Sequence, residues 1–267
     1  LEAAITDGEF ARFQRWIFEA AGIHLPDAKK ALVESRLARR LKARELSNYG
    51  DYFKVLATGA DRLERQTAID LITTNETYFF REPKHFEFLR SHVAANDRPG
   101  RVWRVWSAAS SSGEEAYSIA MTLADVLRCD RWEVMGSDIS TRVLEAARRG
   151  VYPMSRMDDF PPEYLKRFCL KGGGPQEGAL LIDRKIRDRV RFVHMNLNQS
   201  LPECGTFDVI FLRNVLIYFE VETKRQVIAR VCERLGAGGV FMVSHSESLH
   251  GLAPQLKQLG PSIYRKA

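Results

Sequence analysis

Residues 102–138 read VWRVWSAASSSGEEAYSIAMTLADVLRCDRWEVMGSD, and the fold turns on this stretch. Two short runs, 102–107 and 132–138, are rich in β-branched and aromatic side chains, as buried strands are. Between them, 114–127 carries its apolar residues at helical spacing, and a second helical pattern covers 141–149. Strand, helix, strand, helix in that order opens a parallel sheet. Further strands are expected at 190–195, 207–212 and 240–244, with a helix over 222–235 and a last strand pair ending at Ile263-Tyr264.

Working outward, residues 8–72 are helical in pattern throughout, punctuated by Pro26, Asn48-Tyr49-Gly50 and Thr58-Gly59. The turn-rich joint Asn96-Asp97-Arg98-Pro99-Gly100 precedes the first strand, so the change of character falls between Ile72 and Gly100. The alternation of strand and helix fails again over 151–189, where Pro161-Pro162 and Gly172-Gly173-Gly174-Pro175 mark an insertion. The expected organisation is a helical, basic domain over 1–72, a linker helix region over 73–100, and a sheet domain over 101–267 with an insertion at about 151–189.

Of the 267 residues, 45% are hydrophobic and 28% charged, which excludes a disordered chain. The most apolar run, 209–219, is broken by Arg213 and Asn214, and no charged-then-apolar leader opens the sequence, so a cytoplasmic protein with no membrane insertion is expected. Cys129, Cys169, Cys204 and Cys232 show no CxxC spacing, so neither a disulfide framework nor a metal site is expected. The net charge of +6 is local: residues 29–44 hold seven basic side chains and one acid, Glu34, which accounts for the whole excess. That segment reads either as a solvated face or as a surface that steers an acidic partner.

The loop from Ser107 to Glu115 joins a strand to a helix with small residues that let backbone approach a ligand. It lacks GxGxxG spacing, and Glu114-Glu115 would repel a pyrophosphate at the helix start. A cationic, unphosphorylated nucleoside such as S-adenosylmethionine fits better, with Glu115 as partner for its positive end. Asp138 closes the second strand, where an acid can accept hydrogen bonds from ribose hydroxyls; a helix N-cap, with Ser140 as competitor, is the alternative. Asn196 reads either as an adenine contact or as a turn former. Arg213-Asn214 stand at a strand's carboxyl end, where such sheets place their active sites. The polar and aromatic run from Thr73 to Glu82 reads as an N-capped packing helix or as part of a ligand site. His245-Ser246-Glu247-Ser248 lacks any nucleophile elbow and reads as a structural cap.

With these pieces in place the chain resembles the CheR family of chemotaxis-receptor glutamate methyltransferases over nearly its whole length. The matching motifs are Thr73-Thr74-Asn75-Glu76-Thr77 through Phe79-Phe80-Arg81-Glu82; Trp106-Ser107-Ala108-Ala109 through Gly113-Glu114-Glu115; Ser137-Asp138-Ile139; Gly150-Val151-Tyr152; Arg213-Asn214-Val215-Leu216-Ile217-Tyr218-Phe219; and Ser244-His245-Ser246-Glu247. The resemblance implies an α/β, Rossmann-like class I methyltransferase sheet with an N-terminal helical domain and a small inserted β-subdomain. It implies S-adenosylmethionine as cofactor, with S-adenosylhomocysteine as product. Asn75, Thr77, Arg81, Glu115, Asp138, Asn196, Leu197, Arg213 and Asn214 would line its pocket, and Arg81 and Tyr218 would border the transferred methyl as catalytic residues.

The implied partner is the cytoplasmic domain of a methyl-accepting chemoreceptor, docked through Arg36, Arg39, Arg40 and Arg44, with a receptor C-terminal peptide tether held in some members by the inserted subdomain. The chain departs from the family pattern in two places: Ala116 stands where many members have proline, and the loop around Gly172–Gly178 differs in length.

Two other functions compete with this one. An RNA methyltransferase would suit the basic helices. No cysteine follows a proline, however, and no Asp/Asn-Pro-Pro-aromatic motif occurs, so nucleic acid is not the expected partner. A non-catalytic S-adenosylmethionine-binding adaptor is the other, and Arg81, Arg213 and Tyr218 argue against it.

Overall fold

A computed structural model describes residues 4–157 and 159–267. The first helix, α1 (Asp7–Ala21), begins with a reciprocal cap: Glu9 N donates to Thr6 Oγ1 at 3.2 Å, and Thr6 N donates to the Glu9 carboxylate at 2.8 Å. It stops at Gly22, whose φ of +72° suits glycine. Then come α2 (Lys30–Ala43), α3 (Tyr49–Ala57) and α4 (Arg62–Ile72), the last two capped by Asn48 and Asp61 side chains. Phe13, Ile17, Val33, Leu37, Tyr52 and Leu56 bury at helical spacing into a core of their own.

After α5 (Pro83–Asn96) the sheet domain runs β1 (Trp103–Ser107), α6 (Glu114–Leu127), β2 (Trp132–Asp138), α7 (Thr141–Arg149), β3 (Val151–Pro153), α8 (Pro162–Phe168), β4 (Cys169–Lys171), β5 (Ala179–Ile182), α9 (Arg184–Arg187), β6 (Val190–His194), β7 (Phe207–Phe211), α10 (Val221–Glu233), β8 (Leu235–Met242), β9 (Leu256–Gly260) and β10 (Ile263–Lys266). The main sheet has the order β6-β2-β1-β7-β8-β10-β9. Its first five strands are parallel, whereas β10 runs antiparallel to both β8 and β9. From β1 the chain winds one way through β2 to β6, then the other way through β7 and β8. The strand order therefore reverses between β1 and β7, and their carboxyl ends splay into a crevice.

One face of the sheet packs on α5, α6 and the insertion, around Leu89, Ile119, Met121 and Phe211. The other packs on α10, around Trp106, Ile210, Val227 and Phe241. The insertion is a three-stranded antiparallel sheet, β3-β5-β4. This is the expected α/β, Rossmann-like sheet with a helical domain and a small inserted β-subdomain. One strand is longer than the sequence suggested: β8 begins at Leu235, which pairs with Phe207, and the register then shifts across residues 236–239 before Val240 pairs with Val209. Among the described residues no helix is long and apolar enough to cross a membrane.

Candidate functional site

The crevice is built first by the loop between β1 and α6. Ser110 N donates to Ser137 O at 2.8 Å and Ser111 N to Asp138 Oδ2 at 2.9 Å, so the loop is sewn to the end of β2. Small residues are required here. A Cβ on Gly113, which has φ +98°, would lie 2.9 Å from Ala147 Cβ, and one on Gly136 would lie 2.6 Å from the Phe192 ring. The second Asp138 oxygen accepts from Ser140 N at 2.9 Å. Asp138 is thus a brace for two loops and not a plain cap of α7, and it still lines the cleft. Burial raises its pKa, while the backbone N–H groups oppose that rise.

Residues 73–82 do not form the N-capped helix that their composition allowed; helix begins only at Pro83. Phe79 and Phe80 are buried against Tyr152, Phe160 and Phe86, and Phe80 N donates to Ser118 Oγ at 3.0 Å. That anchor leaves Asn75, Thr77, Tyr78 and Arg81 along the cleft wall. Ser111 Oγ donates to Asn75 O at 2.8 Å, joining this segment to the β1 loop.

At the end of β7, Arg213 is buried and donates through Nη2 to Arg81 O. Its guanidinium lies 3.2 Å from a Glu115 oxygen and 3.5 Å from a Glu82 oxygen. Nη1 is close enough to Glu115 for charge attraction but is not aligned for a hydrogen bond, so Nη1 and Nε are buried donors without an acceptor. Burial raises the Glu115 pKa and Arg213 pulls it back, with Ser107 Oγ donating to Glu115 at 2.7 Å. Glu114 instead faces away from the cleft and takes Ser112 Oγ at 2.6 Å. The turn after Arg213 is shaped by Glu247, whose carboxylate accepts from the N–H groups of Asn214, Val215, Leu216 and Ser244 at 2.9–3.0 Å. The structural reading of the His245–Ser248 segment therefore holds. Asn214 needs that support, since its φ is +57°.

The helical domain supplies the remaining wall, which the sequence did not reveal. Ile23 and Phe219 form an antiparallel bridge, and His24 N donates to Tyr218 O at 2.8 Å. Ala21, Ile23, Leu25 and Lys29 consequently face the cleft beside Tyr218, Leu197 and Asn214. Asn196 Nδ2 donates to Ala20 O at 2.7 Å while its Oδ1 accepts from Asn198 N at 2.9 Å. Both ends of this amide are engaged, so Asn196 takes the turn-forming role, although it too borders the cleft. Tyr218 is half-buried, which raises its phenol pKa.

Three of the four arginines expected to dock a partner are engaged within the chain. Arg36 donates to Ile72 O at 2.8 Å and to Thr73 O at 3.2 Å, so it props the start of the cleft segment. Arg40 and Arg44 both grip Glu64, and Arg44 also pairs with Asp61. They read as a free basic stripe in sequence because their acids lie one or two helices away. Among the described residues Arg39 and Lys42 are exposed with no acidic partner.

Chemically, the cleft sets two carboxylates, Asp138 and Glu115, beside the buried Arg213 guanidinium and apolar ring surface from Tyr78 and Phe86. That set suits a ligand that carries a sugar, a cation and an anion together. Comparison with known proteins points the same way. The family described as CheR methyltransferase, SAM binding domain, matches residues 75–264, and that described as CheR methyltransferase, all-alpha domain, matches residues 8–73. A chemotaxis protein methyltransferase of Salmonella typhimurium is 41% identical over 98% of this chain and 91% of its own length. One from Escherichia coli K12 is 40% identical over the same shares. Chemotaxis protein methyltransferase 2 of Pseudomonas aeruginosa is 37% identical over 98% of this chain and 94% of its own.

Proposed function

The chain belongs to the CheR methyltransferase family, and from that premise we propose how its cleft performs the reaction. The protein is an S-adenosylmethionine-dependent methyltransferase that methylates chemoreceptors on glutamate side chains. No feature of the cleft favours nucleic-acid methylation or a purely binding role.

Bound S-adenosylmethionine supplies a methyl group on a positively charged sulfur. In our reading Asp138 accepts from the ribose hydroxyls, Glu115 faces the ammonium, and Arg213, buried beside Glu115, borders the methionine end of the same pocket. Asn75, Thr77, Asn196, Leu197 and Asn214 complete the wall. The observation that carries this assignment is the convergence of Asp138 and Glu115 on one cleft, with Ser107 and the buried Arg213 holding Glu115 in place. Two acids on one cleft wall favour a ligand that brings sugar hydroxyls and a cation together.

A receptor glutamate, with an ordinary pKa of about 4.3, is ionised at neutral pH, so this chain need hold no general base. Its task is to align carboxylate oxygen, methyl carbon and sulfur at about 3 Å approach. We assign that alignment to Arg81 and Tyr218. The Tyr218 phenol, pushed up by burial, stays protonated and donates one hydrogen bond. Arg81, lying 5.5 Å over the Tyr78 ring and bonded to Glu76 O at 3.3 Å, is held off the direct line of attack.

Receptor docking falls to the exposed Arg39 and Lys42 on α2, with Arg36, Arg40 and Arg44 holding that helix in place. The inserted sheet, whose edge strands β3 and β4 present Val151 and Leu170 to solvent, is the candidate seat for a receptor's peptide tether. The decisive experiment incubates the protein with methyl-labelled cofactor and a receptor cytoplasmic fragment. Base-labile label that vanishes when the receptor's acceptor glutamates are changed to alanine is expected; label that is base-stable or goes to RNA would overturn the assignment.

A further inference from the structure

Behind the cleft, Glu82, His85 and His245 converge from the start of α5 and from the loop after β8. Their ligand-type atoms all lie within 4.8 Å of one another. Glu82 Oε2 is 3.3 Å from His85 Nδ1 and 3.7 Å from His245 Nε2. Donor atoms about 2.0–2.1 Å from a tetrahedral metal stand about 3.3–3.5 Å apart, so these are near chelating separations.

The contacts around the cluster sharpen the point. Ser262 Oγ lies 2.6 Å from Pro261 O, 2.8 Å from His85 Nε2 and 3.3 Å from His245 Nδ1, so it ties both rings together. The opposite nitrogens, His85 Nδ1 and His245 Nε2, are left towards the Glu82 carboxylate. His85 is fully buried, and its Nδ1 has no hydrogen-bond partner. Among the described residues the Glu82 carboxylate takes only long hydrogen bonds from His245 N, at 3.3 and 3.4 Å, and a buried, unpartnered ring nitrogen beside it is an arrangement that a cation relieves.

We propose that Glu82, His85 and His245 form a site for a divalent first-row transition cation, represented by Zn²⁺. Two imidazoles and one carboxylate suit zinc, whereas magnesium and calcium prefer all-oxygen shells. Ser262 is the outer hydroxyl that orients both rings. The fourth position opens to solvent beside His245, whose side chain is 47% exposed. Arg213, 3.5 Å from Glu82, opposes the cation, so the affinity falls below that of a structural zinc site. The site was hidden in the sequence because His245 lies far along the chain from Glu82 and His85.

The test titrates chelator-stripped full-length protein with zinc chloride against a chromophoric competitor, and repeats it with His245→Ala and Ser262→Ala. One zinc equivalent is expected, lost in His245→Ala and weakened about 10–100-fold in Ser262→Ala. Cobalt in place of zinc should give visible bands of a nitrogen and oxygen site. No zinc uptake by the wild type, isotherms that superimpose for wild type and His245→Ala, or a thiolate-to-cobalt charge-transfer band reporting a cysteine site would each overturn the proposal.

Discussion

Replacing Arg40 by alanine should destabilise the helical domain by about 2 kcal/mol, and the reasoning can be followed atom by atom. Glu64 is only 2% exposed, yet it is ionised. One of its oxygens accepts from Arg40 Nε at 2.8 Å and Tyr52 Oη at 2.7 Å, and the other accepts from Arg44 Nε at 2.9 Å. The Arg40 guanidinium is the main reason that the Glu64 pKa falls from 4.5 to about 2, against the opposing effect of burial. Such a depression corresponds to about 3 kcal/mol at about 1.4 kcal/mol per unit. Removing one partner of a buried pair costs about 3–5 kcal/mol. Because Arg44 and Tyr52 remain, and Arg40 is partly open to water, we take about 2 kcal/mol.

Urea unfolding at pH 7 measures that loss. A folded-state pKa lowered in this way contributes stability that is complete above pH 4.5 and disappears as pH falls towards 2. The wild type should therefore lose stability over that window more steeply than Arg40→Ala. Equal stability within about 0.5 kcal/mol at pH 7, or identical acid slopes, would refute the argument.

Docking, by contrast, should respond to Arg39→Glu with Lys42→Glu: receptor methylation drops about tenfold at low salt while calorimetry shows unchanged cofactor affinity. Asp138→Ala should weaken cofactor binding about 10–100-fold, the equivalent of about 1.5–3 kcal/mol for hydrogen bonds to a charged group; an unaltered dissociation constant would contradict the ribose role. Glu247→Ala leaves four backbone N–H groups without their acceptor and should cost about 3 kcal/mol or more, read by thermal unfolding, together with loss of cofactor binding. Tyr218→Phe should lower kcat about tenfold in single-turnover assays and leave cofactor affinity intact if, as proposed, the phenol acts on the incoming carboxylate.

The sheet was legible in the sequence because β1, β2 and β7 are short runs rich in β-branched and aromatic residues, each interrupted near its start by one charged side chain, Arg104, Glu133 or Asp208. β2, α6 and α7 fall where periodicity puts them. Asp138 and Arg213 could be placed on the rim because each follows such a run directly. What periodicity does not encode is partnership at long range. Arg36, Arg40 and Arg44 looked solvated because Ile72 O, Glu64 and Asp61 reach them only through the packing of α2 on α4. Asn196 looked available to a base because the Ala20 carbonyl that occupies it comes from the other domain. Glu247 gave no sign that it gathers the N–H groups of a turn some thirty residues upstream. The aromatic run after Thr77 was ambiguous in sequence, and tertiary packing decided it: two rings went into the core and Tyr78 stayed at the cleft.

The hydrogen bond from His24 to the Tyr218 carbonyl, with the adjoining Ile23–Phe219 pair, makes the two lobes share a seam at the reaction chamber itself. A fragment beginning after Ile72 would lack more than the surface proposed to dock the receptor. It would be a vessel with one side missing, its tyrosine unmoored and its interior open to bulk water. For anyone splicing receptor specificity between relatives on this proposal, the unit of exchange is α2, grafted onto an otherwise intact first lobe, rather than that lobe as a whole.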